Sequence, residues 1–231
     1  MRPIVGALTV GQSPRSDVVP ELQNMVGPDV EFVEAGALDD LTLEEVAKVA
    51  PRPGDTVLVT RMRDGTPVKV TDAFVKPRLE QKIEYLASRG ASIIALLCTG
   101  DFPDLNIPAA NQGKAPALIA PGRILFHMVS AVAGQSPLGV IMPDESQIPE
   151  AEVKWRRASR NVFVTAASPY GDRQALLDAA RKLRWLGAGL IVMDCIGFSL
   201  GMKSIVRRET GVPVILARSA LARVLEELLA C

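Results

Sequence analysis

Hydrophobic and polar positions form two kinds of segment that alternate along the whole chain. Short runs rich in Val, Ile and Leu predict β-strands, and longer segments with apolar residues three or four positions apart predict amphipathic helices. The predicted strands are 4–10, 30–34, 56–61, 68–71, 92–97, 117–120, 138–142, 161–166, 190–194 and 214–216. The predicted helices include 74–89, 124–133, 146–157, 173–186 and 220–229. This alternation indicates βαβ units, and therefore an α/β fold of three αβα layers with mainly parallel sheets.

One segment interrupts the alternation. In DTVLVTRMRDGTPVKVTD, residues 55–72, two extended runs flank the dipeptide Asp64-Gly65. Asp-Gly suits the tight turn of a β-hairpin, so we expect an antiparallel excursion near 56–72 that serves as a lid or a subunit contact. Arg61 and Arg63 are interpreted as solvated charges of this hairpin.

The chain also resembles itself. RGASIIALLCTGDF, residues 89–102, matches LGAGLIVMDCIGFS, residues 186–199, and APALIAP matches VPVILAR further on. Identities recur at one spacing of 97 positions, namely Gly90 with Gly187, Cys98 with Cys195, Gly100 with Gly197 and Pro116 with Pro213. Two further pairs match more weakly, IVGALTV with PLGVIMP and VEFVEAG with NVFVTAAS. Their spacing exceeds 97 by roughly the length of the hairpin region.

The repeat predicts two pseudo-symmetric, Rossmann-like lobes with a ligand cleft between them. A predicted helix precedes each strand that ends at Cys98 or Cys195, and another follows each strand that begins after Pro116 or Pro213. The helix 124–133 leads into the second lobe, so we expect the final helix to return to the first lobe. Lobe one then comprises residues 1–120 with 217–231, and lobe two comprises residues 121–216. Similarity between any two βαβ units is the alternative explanation, and the single register of the four identities argues against it.

Composition excludes several classes of protein. The 26 basic and 26 acidic residues balance, so no basic excess points to nucleic acid or anionic lipid. No apolar run reaches membrane-spanning length. One histidine and three cysteines without a C-x-x-C pair give no metal site, and they favour a reduced, cytoplasmic protein. Nucleotide-binding glycine motifs and a G-x-S-x-G elbow are absent, so we expect no cofactor.

The two repeated cysteines carry the candidate chemistry. Cys98 and Cys195 each end a predicted strand and precede a glycine-containing loop, where ligands of parallel sheets bind. If both cysteines face one cleft, the thiolate of one would remove a proton from a carbon next to a carboxylate. The thiol of the other would deliver a proton to the opposite face of that carbon. A free thiol titrates near ~8.5, so one of the two must be ionised. Burial as a small apolar filler is the structural alternative for each cysteine.

Candidate substrate contacts surround these cysteines and the first strand. The loop amides after each cysteine can hold a carboxylate, and Thr99 adds a hydroxyl. In TVGQSPRSD, residues 9–17, Ser13, Pro14 and Asp17 predict the start of a helix. An arginine there opposes the helix dipole, which makes Arg15 a candidate carboxylate ligand with Asp17 as its partner or a proton relay. The full predicted substrate-binding set is Thr9, Gly11, Gln12, Arg15, Thr99, Gly100, Ile196 and Gly197.

The motifs resemble a known family. LTVGQSPRSDVVPEL, IALLCTGDF, PGRILFHMV, VMDCIGF and GVPVILARSALARVLEEL are similar to the AroM family, nearly over the whole chain. More loosely, the paired cysteines resemble the aspartate/glutamate/hydantoin racemase superfamily, whose members need no cofactor and use two cysteines as acid and base. The resemblance implies acid/base roles for Cys98 and Cys195 and a carboxylate region at Thr99 and residues 9–15. Where that superfamily has C-N-T and G-C-T-H, this chain has Cys98-Thr99-Gly100 and Asp194-Cys195-Ile196-Gly197.

We therefore expect a cofactor-independent racemase or isomerase that acts on a small, amino-acid-like carboxylate. Two alternatives stay open: a decarboxylase or cis–trans isomerase that uses one cysteine, and a non-catalytic small-molecule-binding or regulatory protein. The expected partner is the carboxylate substrate, without nucleic acid or membrane. The sequence leaves the oligomeric state open, with a homodimer through the hairpin or one lobe as one option.

Overall fold

A computed structural model describes residues 2–107 and 115–229. The chain divides into two compact units, one formed by Met1–Ala120 with Leu221–Cys231 and the other by Pro121–Ala220. The lobe bounds expected from the sequence differ from these in residues 217–220.

Strands and helices alternate in both units. The strands are β1 (Ile4–Thr9), β2 (Glu31–Gly36), β3 (Val57–Arg61), β4 (Pro67–Thr71), β5 (Ile93–Leu96), β6 (Ala117–Ile119), β7 (Leu138–Met142), β8 (Val162–Ala166), β9 (Leu190–Met193) and β10 (Val214–Leu216). The helices are α1 (Val19–Val26), α2 (Leu43–Lys48), α3 (Asp72–Ser88), α4 (Pro121–Val132), α5 (Ile148–Arg156), α6 (Arg173–Trp185), α7 (Leu200–Thr210) and α8 (Ala217–Leu229). A single 3-10 turn, Glu145–Gln147, precedes α5.

Each unit contains one four-stranded parallel sheet, and the two sheets have the same topology. The strand order is β2-β1-β5-β6 in the first unit and β8-β7-β9-β10 in the second. Because β1 corresponds to β7, β2 to β8, β5 to β9 and β6 to β10, the internal repeat extends to the whole sheet. The α/β fold expected from the sequence is confirmed, with helices packed against parallel sheets.

The same glycine contact recurs in both cores. A Cβ atom on Gly6 of β1 would lie 3.0 Å from Leu86 Cδ1 and 3.2 Å from Ile94 Cγ1. A Cβ atom on Gly139 of β7 would lie 3.0 Å from Leu183 Cδ1 and 3.2 Å from Ile191 Cγ1. In each unit the missing side chain therefore lets the helix before the cysteine strand pack closely on the sheet.

The antiparallel hairpin is also present. β3 and β4 pair from Val57 opposite Thr71 to Arg61 opposite Pro67. At its tip the N–H of Gly65 donates to Met62 O over 3.0 Å, and Gly65 has φ of +100°, which glycine adopts without strain. Within residues 2–107 and 115–229, none of the helices combines the length and the hydrophobicity needed to cross a membrane.

Candidate active site

Each sheet carries a cysteine two residues beyond the end of a central strand. Cys98 follows β5 and Cys195 follows β9, and both are buried, with 8% and 6% of the residue exposed. The N–H of Gly100 donates to Sγ of Cys98 over 3.3 Å, and the N–H of Gly197 donates to Sγ of Cys195 over 3.4 Å. The same hydrogen bond from a glycine amide to the cysteine sulfur two residues earlier therefore occurs in both units.

The glycine in each turn has little room for a side chain. A Cβ atom on Gly100 would lie 2.9 Å from Leu58 Cδ2. A Cβ atom on Gly197 would lie 2.8 Å from Tyr170 Oη and 2.9 Å from Pro169 Cγ. Glycine therefore brings the backbone of each turn close to its neighbours while the N–H points at the sulfur.

The loop after β1 lies beside the Cys98 turn at the same edge of the sheet. β1 and β5 are neighbours, with Leu8 opposite Leu96, and the N–H of Leu97 donates to Leu8 O over 2.6 Å. The carboxyl ends of both strands therefore leave the sheet side by side, as the sequence predicts for Thr9, Gly11, Cys98 and Thr99.

Thr9 and Arg15 form the centre of this loop. Oγ1 of the fully buried Thr9 accepts hydrogen bonds from the N–H of Gly11 over 3.1 Å and from Nη1 of Arg15 over 2.9 Å. Arg15 is 2% exposed, and its Nε and Nη2 each donate to a different carboxylate oxygen of Asp17 over 2.8 Å. The predicted pairing of Arg15 with Asp17 is present, and these contacts direct three nitrogens of the guanidinium toward the protein itself.

The predicted helix start at residues 13–17 is wrong. The first helix begins at Val19, beyond the cis peptide bond between Ser13 and Pro14. The N–H and hydroxyl of Ser13 donate to Asp39, and the N–H of Arg15 donates to Glu34 over 2.6 Å. Because these distant carboxylates take the backbone amides, the segment forms a loop, and the helix dipole does not act on Arg15.

The charges around Asp17 hold it in its ionised form. Burial by itself would raise the pKa of Asp17, but the hydrogen bonds and positive charge of Arg15 outweigh burial. The guanidinium of Arg61, 3.8 Å from the Asp17 carboxylate, adds to this effect. The pKa of Asp17 therefore lies below its usual value, and the carboxylate stays charged as the partner of Arg15.

Glu34 of β2 behaves in the opposite way. Burial raises the pKa of Glu34, and the nearby carboxylates of Asp17 and Asp39 act in the same direction. The hydrogen bond from the Arg15 amide and the Arg15 charge only partly offset this rise. Two carboxylates at one edge of the sheet thus have their pKa values moved apart.

Gln12 fastens the loop to its surroundings. Its amide nitrogen donates to Leu38 O over 3.0 Å and to Leu41 O over 2.8 Å, and its amide oxygen accepts from the N–H of Arg63 over 2.9 Å. These backbone contacts occupy the side-chain amide, so Gln12 holds the hairpin against the loop.

The interpretation as a solvated charge is wrong for Arg61, whereas Arg63 is exposed, as that interpretation expects. The side chain of Arg61 is 19% exposed and faces Asp17, while Nε of Arg63 donates to Ser13 O over 2.8 Å. Both arginines therefore attach the hairpin to the loop after β1.

Sequence reasoning missed a buried arginine in the second unit. Arg218, the second residue of α8, is 1% exposed, and its Nε and Nη2 donate to Ile196 O over 3.2 and 3.0 Å. Nη2 also donates to Gly197 O over 3.1 Å. The signal was the mismatch between APALIAP and VPVILAR, which sets Arg218 against Pro121 in an otherwise apolar context.

Asp194 is buried for a structural reason. Its Oδ2 accepts from Lys154 Nζ over 2.8 Å and from Trp155 Nε1 over 3.0 Å, both on α5. The carboxylate thus ties α5 to the end of β9. In the part of the chain that the structure describes, no three His, Cys, Asp or Glu residues are grouped so that they could hold a metal ion.

The fold of the chain is shared with solved enzymes. Allantoin racemase from Klebsiella pneumoniae is 16% identical with a TM-score of 0.61, and the match covers 99% of this chain and 88% of that one. Aspartate racemase from Picrophilus torridus is 12% identical with a TM-score of 0.59, covering 98% of this chain and 94% of that one. At these identities the likeness establishes the fold.

A third similar structure carries a covalently modified cysteine. It is a cysteine-to-serine mutant of maleate cis-trans isomerase from Nocardia farcinica with a bound succinylcysteine intermediate. It is 16% identical with a TM-score of 0.60, and the match covers 98% of this chain and 92% of that one. The family model for AroM protein matches residues 5–229, and no curated protein matches the chain in sequence.

Proposed function

This chain belongs to the AroM family, and we propose that it is a cofactor-independent isomerase that inverts a carbon centre next to a carboxylate. Cys98 and Cys195 exchange protons with that carbon. The observation that carries the proposal is the repeated turn, in which the N–H of Gly100 or Gly197 meets the sulfur of the cysteine two residues earlier. Core filling by a small residue does not require a second copy of this hydrogen bond.

The proposed reaction balances without any co-reactant. The thiolate of one cysteine takes the proton from the carbon, and the electron pair of the broken C–H bond moves into the carboxylate as an enediolate. The thiol of the other cysteine then delivers its proton to the opposite face of the carbon. The product is the mirror-image centre, and the two sulfurs have exchanged their protonation states.

Backbone donors are the proposed carboxylate ligands. The amide of Ile196 and the hydroxyl of Thr99 lie in the cysteine turns as the proposed ligands, whereas the amides of Gly100 and Gly197 meet the sulfurs and fix these turns. N–H groups fixed in a turn need no reorganisation when negative charge develops, so they stabilise an enediolate more than a mobile side chain does. Thr9, Gly11, Gln12 and Arg15 act in this proposal mainly by holding the adjacent loop, because their polar groups contact one another and the hairpin.

Deuterium incorporation tests the proposal. The protein is incubated in D₂O with a panel of chiral amino and hydroxy acids, and exchange at the carbon next to the carboxylate is followed by NMR. We expect exchange with wild-type protein and a loss of about 10²–10⁴-fold in both Cys98→Ser and Cys195→Ser. Cys231→Ser, which changes a cysteine outside the described residues, is the matched control. Full exchange in both variants would overturn the proposal.

A route through one cysteine is the second candidate. Thr99 follows Cys98, whereas the apolar Ile196 follows Cys195, so the two turns are chemically unequal. The succinylcysteine of the maleate isomerase mutant shows that a protein of this fold can form a covalent cysteine adduct. Loss of turnover in only one cysteine variant, with a covalent adduct visible by mass spectrometry, supports this route. Ligand-induced thermal stabilisation without any turnover supports a binding protein instead.

A further inference from the structure

A buried arginine lies directly behind the Cys195 turn. Arg218 stands at the second position of α8, where the helix dipole disfavours a positive charge, and burial adds a further penalty. Its donors meet the carbonyl oxygens of Ile196 and Gly197 over 3.0–3.2 Å. These hydrogen bonds hold the backbone of the turn in one orientation.

One peptide group connects the guanidinium to the sulfur. The carbonyl of Ile196 and the N–H of Gly197 belong to the same peptide bond and point in opposite directions from a planar unit. The carbonyl accepts from Arg218, and the N–H donates to Sγ of Cys195 over 3.4 Å. A cation on the carbonyl polarises the peptide and strengthens its N–H as a donor, so the charge of Arg218 acts on the sulfur through the turn.

The sequence position that corresponds to Arg218 beside the first cysteine turn is not an arginine. The spacing of 97 that relates Cys98 to Cys195 relates Pro121 to Arg218, and proline carries no cation. The N–H of Gly100 still donates to Cys98 over 3.3 Å. The two turns therefore share the hydrogen bond to sulfur, and they differ in the residue at the position of Arg218.

We propose that Arg218 is a positioning residue that holds Cys195 as the resting thiolate while Cys98 stays protonated. That Cys195 would then be the first base of the reaction rests on the proposed function, whereas the difference in ionisation between the two thiols does not.

The acidic residue next to Cys195 in the chain is already bonded to a lysine. Asp194 precedes the cysteine, but its carboxylate is held at 2.8 Å by Lys154 of α5. The Tyr170 hydroxyl packs at Gly197. Arg218 thus adds its positive charge to a turn whose acidic neighbour is already paired.

The first experiment needs no substitution. Wild-type protein is alkylated with iodoacetamide between pH 5 and 10, and the rate at each cysteine is followed by mass spectrometry of its peptide. We expect the rate at Cys195 to reach half its plateau at a lower pH than the rate at Cys98. Equal midpoints, or a lower midpoint for Cys98, would overturn the inference. Midpoints rather than absolute rates are compared because burial slows both reactions.

The second experiment removes the guanidinium. In Arg218→Met we expect the thiolate fraction of Cys195 at pH 7 to fall about tenfold, while the Cys98 profile is unchanged. Arg218→Lys keeps the charge and should recover part of the loss. Arg223→Met on the same helix, where the arginine side chain is 76% exposed, is the matched control and should leave both profiles unchanged.

The outcomes separate this inference from the proposed function. A folded Arg218→Met protein with an unaltered Cys195 profile refutes the role of Arg218, even if deuterium exchange continues. A shifted Cys195 profile in a protein that exchanges no carboxylate supports Arg218 and refutes the isomerase. If Arg218→Met does not fold, which circular dichroism shows, the wild-type midpoints and Arg218→Lys still decide the matter.

Discussion

The two units keep the cysteine turn and differ in the loop beside it. The amide-to-sulfur distances are 3.3 Å at Cys98 and 3.4 Å at Cys195. After β1, however, the chain forms a loop bonded to Asp39, Glu34 and the hairpin, whereas after β7 Asp144 caps a single 3-10 turn. What the repeat retains is the hydrogen bond from a glycine amide to the sulfur.

The residue before each cysteine gives the sharpest contrast between the units. Leu97 precedes Cys98 and is buried, whereas Asp194 precedes Cys195 and accepts hydrogen bonds from Lys154 and Trp155. In Asp194→Ala the partly exposed Lys154 and the buried Nε1–H of Trp155 lose their acceptor, so we expect the free energy of unfolding of the second unit to fall by about 2–4 kcal/mol.

Urea unfolding followed by tryptophan fluorescence measures this loss selectively. Both tryptophans, Trp155 and Trp185, belong to the second unit, so their signal follows that unit. Leu97→Ala is the control from the first unit and should leave the fluorescence midpoint largely in place. A change below about 1 kcal/mol in Asp194→Ala would show that the carboxylate does not brace α5.

The glycines of the two turns predict a smaller, graded effect. In Gly197→Ala the new methyl group meets the Tyr170 ring and Pro169, which are rigid, whereas in Gly100→Ala it meets the flexible end of Leu58. We expect losses of about 1–3 kcal/mol for Gly197→Ala and less for Gly100→Ala. Thermal unfolding by calorimetry gives both values, and the reverse order would contradict the packing described for the two turns.

The pH dependence of the first unit predicts the smallest effect. Because the pKa of Asp17 is lowered in the folded state, its contribution to stability is present above the unfolded pKa and is lost as pH falls through the folded pKa. In Asp17→Asn we expect a loss of about 1 kcal/mol at pH 7 and a flatter decline in stability below about pH 4.

Glu34 provides the matched comparison for that titration. Its raised pKa means that ionisation above the unfolded value opposes folding, so Glu34→Gln should not lower stability at pH 7 and removes a gain on acidification. Circular dichroism melts between pH 3 and 7 measure both variants. Parallel pH profiles for Asp17→Asn and wild type would contradict the ion pair with Arg15.

Local patterns were sufficient for the strands and for the position of both cysteines. Within the described residues, each predicted strand has a counterpart of the same type, because short aliphatic runs bounded by glycine and proline leave little choice of structure. The cysteines follow from this, since a residue just past a parallel strand must emerge at its carboxyl edge. The spacing of 97 positions shows in addition which strands of the two sheets correspond to each other.

Contacts between distant residues set the features that the sequence did not reveal. Capping rules favoured a helix start at Ser13, but carboxylates from residues 34 and 39 take the amides of the loop. Arg218 lies between the predicted strand 214–216 and the predicted helix 220–229, and nothing local shows that its side chain reaches the backbone 21 and 22 residues earlier. Such contacts depend on the packed fold, which no short window of sequence contains.

The division of the chain affects the order in which its parts can be completed during synthesis. The second unit is one uninterrupted stretch, Pro121–Ala220, whereas the first closes with Leu221–Cys231. On the ribosome the first unit must therefore wait for its last segment until all of the second has been translated. The part encoded later is the first to have its whole sequence available, so the nascent first unit stays incomplete while its neighbour can already fold.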